Sequence, residues 1–392
     1  MNTRERILVV RRDNIGDLVL TTPLIRALRV ARPAAWIGAL VNSYNAPVLA
    51  GNSDLDQVFA YDKAKHQPDK SRLSVFSATA RLLFALRRQH IDQVILAGPG
   101  AQRQAYALAR WIKPRAMTGF VTPDFAPAGI TSPVPYGDGV HLHEAEDVFR
   151  LLASFGATGE IPASAVHADA VLAARWRVRI DAEINRASGA ADRSEEVSGT
   201  DASGADGTSV DGTSINDEAG RVARAPHLAS ITPLIAVHIS ARRAKQRWPA
   251  SRFAETMRRL HQQCGARFLL LWSPGAADEA GHPGDDAKAR EVRAGLPSSF
   301  PLVACPTQAL PDLIAVLSLA DAVLCADGGA MHLAAGLGKP IIALFGDSPV
   351  ARWRPWQVAH EVVQAPGGDV AQLPVSEVLS AWDRLAPRVS AG

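Results

Sequence analysis

The chain has 392 residues, of which 47% are hydrophobic and 21% are charged, and its formal net charge is only +3. This is the composition of a globular protein with enough length for roughly two domains. The small net charge and the lack of a dense Lys/Arg block with interleaved aromatics argue against a nucleic-acid groove, whereas a modestly basic surface can still favour anionic ligands or an anionic membrane face.

Short apolar runs alternate with helical patterns through the first part of the chain. We predict strands at residues 7–10, 35–41, 58–61 and 93–97, and helices at 23–31 and 79–88. This alternation predicts a parallel sheet covered by helices. An amphipathic helix at 144–156 closes this N-terminal domain, to which we assign residues 1–175.

The N-terminus and the cysteines bear on the cellular compartment. No cleavable signal pattern precedes the first strand, and no apolar run is long enough to cross a membrane. The three cysteines are widely separated and lie in or beside apolar stretches, as expected of reduced core residues. We therefore expect a cytoplasmic protein, with peripheral contact to the inner membrane allowed.

A polar segment separates this domain from a second one. Residues 188–225 are rich in Ser, Gly, Asp, Ala and Thr and contain almost no large apolar residue, so burial cannot offset their ordering entropy, and we predict a disordered insert. A C-terminal domain follows at 228–365, with predicted strands at 234–238, 268–272, 302–304, 322–325 and 341–345. Helices alternate with these strands as in a second doubly wound α/β domain. We expect the final helix, within residues 374–387, to pack back on the first domain.

The turn after the first strand carries two carboxylates, Asp13 and Asp17. It lies where open α/β sheets bind ligands, beyond the carboxyl end of a strand. Asp17 falls in the first turn of the following helix, where it compensates the helix dipole. Asp13 lies at the tip of the loop beside basic residues and is our candidate general base. The alternative is an Asp that only fixes the loop by bonding to its own backbone.

A cluster of cations follows the first strand of the second domain. Arg242, Arg243, Lys245 and Arg247 fall within six positions. Such a run is often a solvated face. The alternative is a pyrophosphate clamp, in which Ser240 donates its hydroxyl and Lys245 supplies a point charge.

The turn that precedes the helix at 331–337 is the most informative part of the sequence. Gly328 and Gly329 follow Asp327 at the end of a buried strand, and free amides at the positive end of a helix dipole suit a phosphate. The alternative is a tight turn with Asp327 as the helix cap, and His332 as a satisfied helix-start histidine. Because this turn and the cationic loop both lie at carboxyl ends of strands in one sheet, we expect them to face a common crevice.

The sequence gives little support for a metal or a cofactor. Asp54 and Asp56 have the Asp-x-Asp form that some transferases use to hold a divalent metal, but they lie in a turn before a strand, and we interpret them as turn chemistry. The histidines show no ligand spacing with cysteines or carboxylates. Walker and dinucleotide fingerprints are both missing. We therefore predict no metal and no cofactor.

Three motifs resemble glycosyltransferase family 9, the ADP-heptose:lipopolysaccharide heptosyltransferases. They are residues 7–29 (ILVVRRDNIGDLVLTTPLIRALR), 245–249 (KQRWP) and 327–340 (DGGAMHLAAGLGKP). The resemblance implies a GT-B fold, in which two Rossmann-like doubly wound domains face each other across a cleft. It implies that the C-terminal domain holds a nucleotide sugar and the N-terminal domain the acceptor, and that transfer inverts the anomeric centre without a catalytic metal.

The resemblance also implies roles for individual residues. Asp13 takes the proton of the acceptor hydroxyl as it attacks the anomeric carbon. Residues of the C-terminal domain bind the donor substrate, namely Ser240, Arg242, Lys245, Glu279, Asp327, Gly328, Gly329 and His332. Of these, Lys245 and Ser240 match the family's phosphate ligands, and Glu279, with Asp278 as its alternative, is the candidate for the ribose hydroxyls.

We therefore expect a bacterial glycosyltransferase that moves heptose or a related sugar from an ADP-sugar to a hydroxyl of the lipopolysaccharide core or another surface glycan. Its expected partners are ADP-heptose or a similar nucleotide sugar and a lipid-linked glycan acceptor at the inner membrane face, and we expect a monomer that does not bind nucleic acid. Gly328 stands where the family often has a hydroxyl residue, which leaves the donor sugar open. The alternative function is a non-catalytic nucleotide-sugar or glycan-binding protein on the same scaffold.

Overall fold

Two parallel sheets form the framework of the protein. The computed structural model describes residues 4–63, 71–137, 142–157, 159–198, 232–278 and 283–389. Within these residues each sheet has six strands and the same order relative to its own first strand. The predicted fold class, α/β with two doubly wound Rossmann-like units, is confirmed.

The first sheet has the order β3-β2-β1-β4-β5-β6. Its strands are β1 Arg6–Val10, β2 Trp36–Asn42, β3 Gln57–Tyr61, β4 Gln93–Leu96, β5 Ala116–Val121 and β6 Ser132–Pro135. Its helices are α1 Ile15–Val19, α2 Thr22–Ala31, α3 Arg72–Arg88, α4 Arg103–Ile112 and α5 Glu144–Phe149. The central strands are almost wholly apolar because a parallel sheet is covered on both faces.

The second sheet has the order β12-β11-β10-β7-β8-β9. Its strands are β7 Leu234–His238, β8 Arg267–Trp272, β9 Leu302–Pro306, β10 Ala322–Ala326, β11 Ile341–Phe345 and β12 His360–Gln364. Its helices are α7 Ala250–Cys264, α8 Asp286–Ala294, α9 Leu310–Leu319, α10 Gly329–Gly336, α11 Val350–Trp353 and α12 Val375–Val389. In both sheets the order reverses beside the first strand, β1 or β7, and open α/β sheets bind ligands at such a point.

The apolar core of the described residues has two outer parts, one large part shared by both sheets, and a small cluster of Leu20, Ala145 and Trp356. One outer part lies under α3 and α4 and contains only residues of the first sheet and its helices and loops. The other lies under α7 and α12 of the second sheet. The shared part runs from Ile7 and Val9 of β1 to Met331 and Leu333 of α10, so the inner faces of the two units form one continuous core.

A long helix, α6 Ala170–Ser198, connects the two units. Its side chains pack against the second unit, since Trp176 Nε1 donates to Asp312 Oδ1 at 3.0 Å and Ile180 lies in the shared core. The helix includes residues 188–198, the first part of the segment that the sequence predicts as a disordered insert. The rest of that segment lies outside the described residues.

The final helix, α12, differs from its prediction. It packs on the second sheet and α7, and not on the first domain. Val378, Trp382 and Leu385 form its buried face beside Trp248 and Phe253. The prediction that this helix crosses back was wrong, because that apolar stripe fits the outer face of its own sheet. Among the described residues, no helix is both long and apolar enough to span a membrane.

Candidate functional site

The site begins with the turn between β1 and α1. Asn14 precedes the helix, and the Asp17 carboxylate accepts a hydrogen bond from the Asn14 backbone N–H at 2.9 Å. This arrangement closes the first turn of α1. Asp17 lies in that turn, as predicted, and in addition caps it. Asp13 remains at the tip, where its backbone carbonyl accepts a hydrogen bond from Asn45 Nδ2 at 3.0 Å. Its side chain is 33% exposed, against 12% for Asp17.

A buried arginine holds both carboxylates of this turn. Arg11 Nε lies 3.1 Å from Asp13 Oδ2, and its Nη2 lies 3.0 Å from Asp17 Oδ1 and 2.8 Å from Glu144 Oε1. Burial by itself lowers the pKa of Arg11, but Glu144, Asp17 and Asp13 outweigh it and raise the pKa above its usual value. A buried charge is tolerated only when it is paired, and these three carboxylates pair it.

The same cluster reaches into the second unit through Arg352 of α11. Its guanidinium pairs with Glu144, lies 3.2 Å from Asp147 Oδ2, and donates to the Tyr136 hydroxyl at 3.2 Å. Burial raises the pKa of Glu144, although Arg11 and Arg352 oppose that shift. Glu144 therefore ties the arginine behind Asp13 to the second unit.

The predicted glycine turn lies directly against the β1–α1 turn. A Cβ atom on Gly329 would lie 3.3 Å from Ile15 Cβ, and one on Gly16 would lie 2.4 Å from His332 Cδ2. Gly328, and not Asp327, is the N-cap of α10. Each turn has a glycine at the contact, so no side chain of Gly16 or Gly329 separates the two turns. This close approach brings the Asp13 loop to the predicted donor site.

His332 is buried at this junction, with 3% of its surface exposed. Burial lowers its pKa to about 4, against the opposing charge of Asp17, so the ring is neutral near pH 7. Within the described part of the chain its Nδ1 makes no hydrogen bond. The prediction of a satisfied helix-start histidine therefore does not describe its environment.

Asp327 is bound to the cationic loop. Its Oδ2 accepts a hydrogen bond at 3.0 Å from Gln246 Nε2, which also lies 3.3 Å from Ser348 Oγ. Burial raises the pKa of Asp327, and the Ser348 hydroxyl and the charge of Arg243 partly oppose that shift. The loop that carries the cations thus packs beside the glycine turn, as the common crevice requires.

The exposed cations of this loop lie near different parts of the protein. Lys245 Nζ is exposed and lies 4.0 Å from Asp347 Oδ2, at the loop after β11. Arg242 is close enough to the first unit that its charge opposes the rise that burial causes in the pKa of Tyr44. Ser240 Oγ accepts a hydrogen bond from Ser273 N at 2.9 Å, which leaves its own proton free to donate.

Glu279, Asp54 and Asp56 are the remaining candidates from the sequence. Glu279 lies outside the described residues. Asp54 and Asp56 are bound by arginines, at 3.0 Å from Arg26 and 2.6 Å from Arg29, in agreement with their interpretation as turn residues. Among the described residues, no cluster of His, Cys, Asp and Glu could hold a metal ion.

Sequence reasoning missed the charged residues that support the site. Arg11 follows four apolar strand residues, and a charge at the end of a buried strand was the one available signal. Glu144 and Arg352 looked like ordinary surface charges, since nothing local shows that they meet. Gln246 was hidden within a run of cations.

Comparisons with known proteins agree with this architecture. Residues 203–375 match the model of glycosyltransferase family 9 (heptosyltransferase). Lipopolysaccharide heptosyltransferase 3 of Escherichia coli is 23% identical over 174 residues, which are 40% of this chain and 48% of that protein. The chain thus matches about half the length of this curated relative.

Solved structures extend the similarity to the whole chain. A glycosyl transferase family 9 protein from Veillonella parvula has a TM-score of 0.73 at 19% identity, with 99% of both chains covered. ADP-heptose lps heptosyltransferase II of E. coli has a TM-score of 0.67 at 16% identity, with 98% of this chain and 99% of that chain covered. The E. coli heptosyltransferase WaaC with ADP has a TM-score of 0.66 at 16% identity, with 97% of this chain and 99% of that chain covered. The chain therefore resembles glycosyltransferase family 9 in sequence, over residues 203–375, and in fold, over nearly its full length.

Proposed function

We propose that this chain is an inverting, metal-independent glycosyltransferase that moves heptose or a related sugar from an ADP-sugar to a hydroxyl of the lipopolysaccharide core or another surface glycan. The observation that carries the proposal is the contact of the β1–α1 turn with the glycine turn, where Gly16 lies against His332 and Ile15 against Gly329. The matched relatives support the substrate class, since WaaC was solved with ADP and with ADP-2-deoxy-2-fluoro heptose.

The chemistry divides between the two units. Asp13 accepts the proton of the acceptor hydroxyl while its oxygen forms a bond to the anomeric carbon. The bond from that carbon to the diphosphate breaks on the opposite face, and negative charge grows on the leaving group. In this mechanism Arg242 and Lys245, with the amides of Gly328 and Gly329, stabilise that charge. These cations would supply the positive charge that a metal supplies in other transferases.

Asp17 is a second candidate for the base. Its charge influences the pKa of Tyr44 and that of His332, so its carboxylate lies near the junction. Its oxygens already accept hydrogen bonds from Asn14 and Arg11. Asp13 is the more exposed of the two carboxylates, so an acceptor hydroxyl can approach it more easily.

Paired substitutions decide between the two carboxylates. Asp13→Asn and Asp17→Asn keep the side-chain shape and remove the base, and the loss of a general base lowers kcat by about 10²–10⁴-fold. We expect Asp13→Asn to lose transfer while ADP-heptose still raises its melting temperature as in the unmodified protein. Full activity in Asp13→Asn together with loss in Asp17→Asn would transfer the role to Asp17. Full activity in both would contradict the mechanism.

A donor screen tests the substrate class. A ligand that binds only the folded state raises the melting temperature, so ADP-heptose, ADP-glucose and a UDP-sugar can be compared directly. We expect the ADP-sugars to protect more than the UDP-sugar. A non-catalytic sugar-nucleotide-binding protein would be protected in the same way but would transfer nothing to a lipopolysaccharide acceptor.

The proposed setting follows from the acceptor. A lipid-linked glycan at the inner face of the membrane would be reached from the cytoplasm, and we propose that the chain acts there as a monomer at the membrane surface. Light scattering of the purified chain tests the monomer, and fractionation of cells tests the location.

A further inference from the structure

The outer face of the first unit carries large apolar side chains that nothing in the described chain covers. Leu73, Phe76 and Phe84 of α3 are 81%, 72% and 58% exposed, and Trp111 of α4 is 68% exposed. Most large apolar side chains of a monomer are at least partly buried, and exposed ones grouped on neighbouring helices often mark an interaction site.

The apolar residues of α3 lie along one side of the helix. Leu73, Phe76, Ala80, Phe84 and Arg87 follow one another at intervals of three or four residues, which is the spacing of a single helical face. The adjacent side of α3 packs on the sheet through buried residues that include Leu83 and Leu86. The apolar side chains of α3 therefore extend beyond the side that the fold buries.

The charge of this surface has one sign. The sequences of α3 and α4 contain six arginines and neither Asp nor Glu, although acidic residues nearly equal basic ones over the whole chain. Where α3 and α4 meet, Arg87, Arg110 and Lys113 surround an open groove of about 360 Å³ beside Trp111. Cations that flank exposed aromatic residues complement a surface of anionic headgroups over acyl chains.

The surface also connects to the proposed site. At the start of α4, Gln104 accepts a hydrogen bond at 2.8 Å from Arg12, the neighbour of Asp13. Trp111 lies seven residues further along the same helix, about 10 Å away at 1.5 Å per residue. A surface that contacts a bilayer at Trp111 would hold the Asp13 loop within a short distance of the headgroups.

We infer that the α3–α4 surface, formed by the exposed side chains of α3 and α4, docks on an anionic phospholipid bilayer. The aromatic side chains enter the interface, and the arginines and Lys113 bind headgroup phosphates in and beside the groove. This inference deepens the proposed function and rests on it for the acceptor that the bilayer carries, but the binding itself requires neither donor nor acceptor.

Vesicle binding of the full chain tests the inference. We expect cosedimentation with vesicles that contain phosphatidylglycerol, much weaker binding to pure phosphatidylcholine, and release by salt, because the attraction to headgroups is screened. The variant Phe76→Ser/Phe84→Ser should bind at least about tenfold more weakly, since it removes the two aromatic side chains that enter the interface. Arg87→Ala/Arg110→Ala should weaken only the binding to anionic vesicles.

The matched control is Val30→Ser on α2. Val30 is 70% exposed but belongs to a helix that packs on the other face of the sheet. Because all the substituted side chains are exposed, the melting temperatures should stay the same. Protection by ADP-heptose should also persist in every variant, which separates failure of docking from failure of the proposed transfer.

Three results would overturn the inference. Equal binding of the Phe76→Ser/Phe84→Ser and Val30→Ser variants would show that the stripe does not enter the bilayer. Equal binding to neutral and anionic vesicles would show that the arginines do not recognise headgroups. A dimer in solution that the Phe76→Ser/Phe84→Ser variant dissociates would show that a second copy of the chain covers the surface.

Discussion

Replacing Gly16 by Ala tests the junction on which the proposed site depends. The new Cβ would lie 2.4 Å from Cδ2 of His332, and because carbon atoms pack at about 3.5–4.0 Å, the two helices must separate by about 1 Å or more. Overpacking of this kind costs about 1–3 kcal/mol, whereas Ala in a helix gains at most about 1 kcal/mol over Gly. The clash should prevail because His332 is buried in α10 and protein interiors are close-packed.

Thermal unfolding of four proteins measures this effect. We expect Gly16→Ala to unfold roughly 1–4 °C below the unmodified protein, because the entropy of unfolding of a chain this long makes the shift per kcal/mol small. His332→Ala makes room for the new methyl group, so the double variant should be more stable than the sum of the two single changes by about 1 kcal/mol or more. If the effects add within about 0.5 kcal/mol, or if Gly16→Ala is as stable as the unmodified protein, the two turns do not meet as described.

Three further changes probe the site. Lys245→Ala should weaken nucleotide-sugar binding about tenfold or more without changing the melting temperature of the free protein, and unaltered protection by ADP-heptose would remove Lys245 from the diphosphate site. The pKa of His332 is about 4 in the folded protein and near 6.5 in the unfolded chain, so the protein loses stability as the pH falls from about 6.5 to 4. In His332→Gln the melting temperature should therefore fall less steeply with pH over that range. A slope equal to that of the unmodified protein would contradict this prediction. Arg352→Ala leaves Glu144 with one arginine, so the free energy of unfolding measured in urea should fall by an amount near the lower end of about 3–5 kcal/mol. An unchanged free energy of unfolding would show that the pair of Arg352 and Glu144 does not stabilise the protein.

The sequence predicted the secondary structure of both sheets well where the patterns were local. The buried strands around Ile7 and Leu234 read as apolar runs, and the glycine turn at 328–329 was recognisable because a strand ends there and a helix begins. The packing partner of α12 was not predictable. Its apolar stripe shows that it is buried, but the choice between two similar sheets depends on contacts between residues far apart in the chain.

The candidate site was predicted as separate pieces. The sequence identified the Asp13 loop, the cationic loop and the glycine turn, and the structure joins the last two through the hydrogen bond of Gln246 to Asp327. The sequence could not predict the cluster around Arg11. Glu144 follows Arg11 by more than a hundred residues, and the tertiary fold decides which partner a carboxylate contacts. The exposed stripe on α3 was also missed, since an apolar helix position looks the same whether it faces the core or the solvent.

The long connecting helix has a mechanical consequence for the two units. Because α6 packs on α9 and β9, and Trp176 donates to Asp312, the helix is attached to the second unit. The Ala165 N–H donates to Thr22 Oγ1 of the first unit at 2.9 Å, and the Val166 N–H donates to the Gly336 carbonyl of the second unit at 2.8 Å, so the preceding strip of chain is held by both units. Any pivot between the sheets must therefore bend this strip before α6, and its backbone amides would report the motion first in hydrogen exchange.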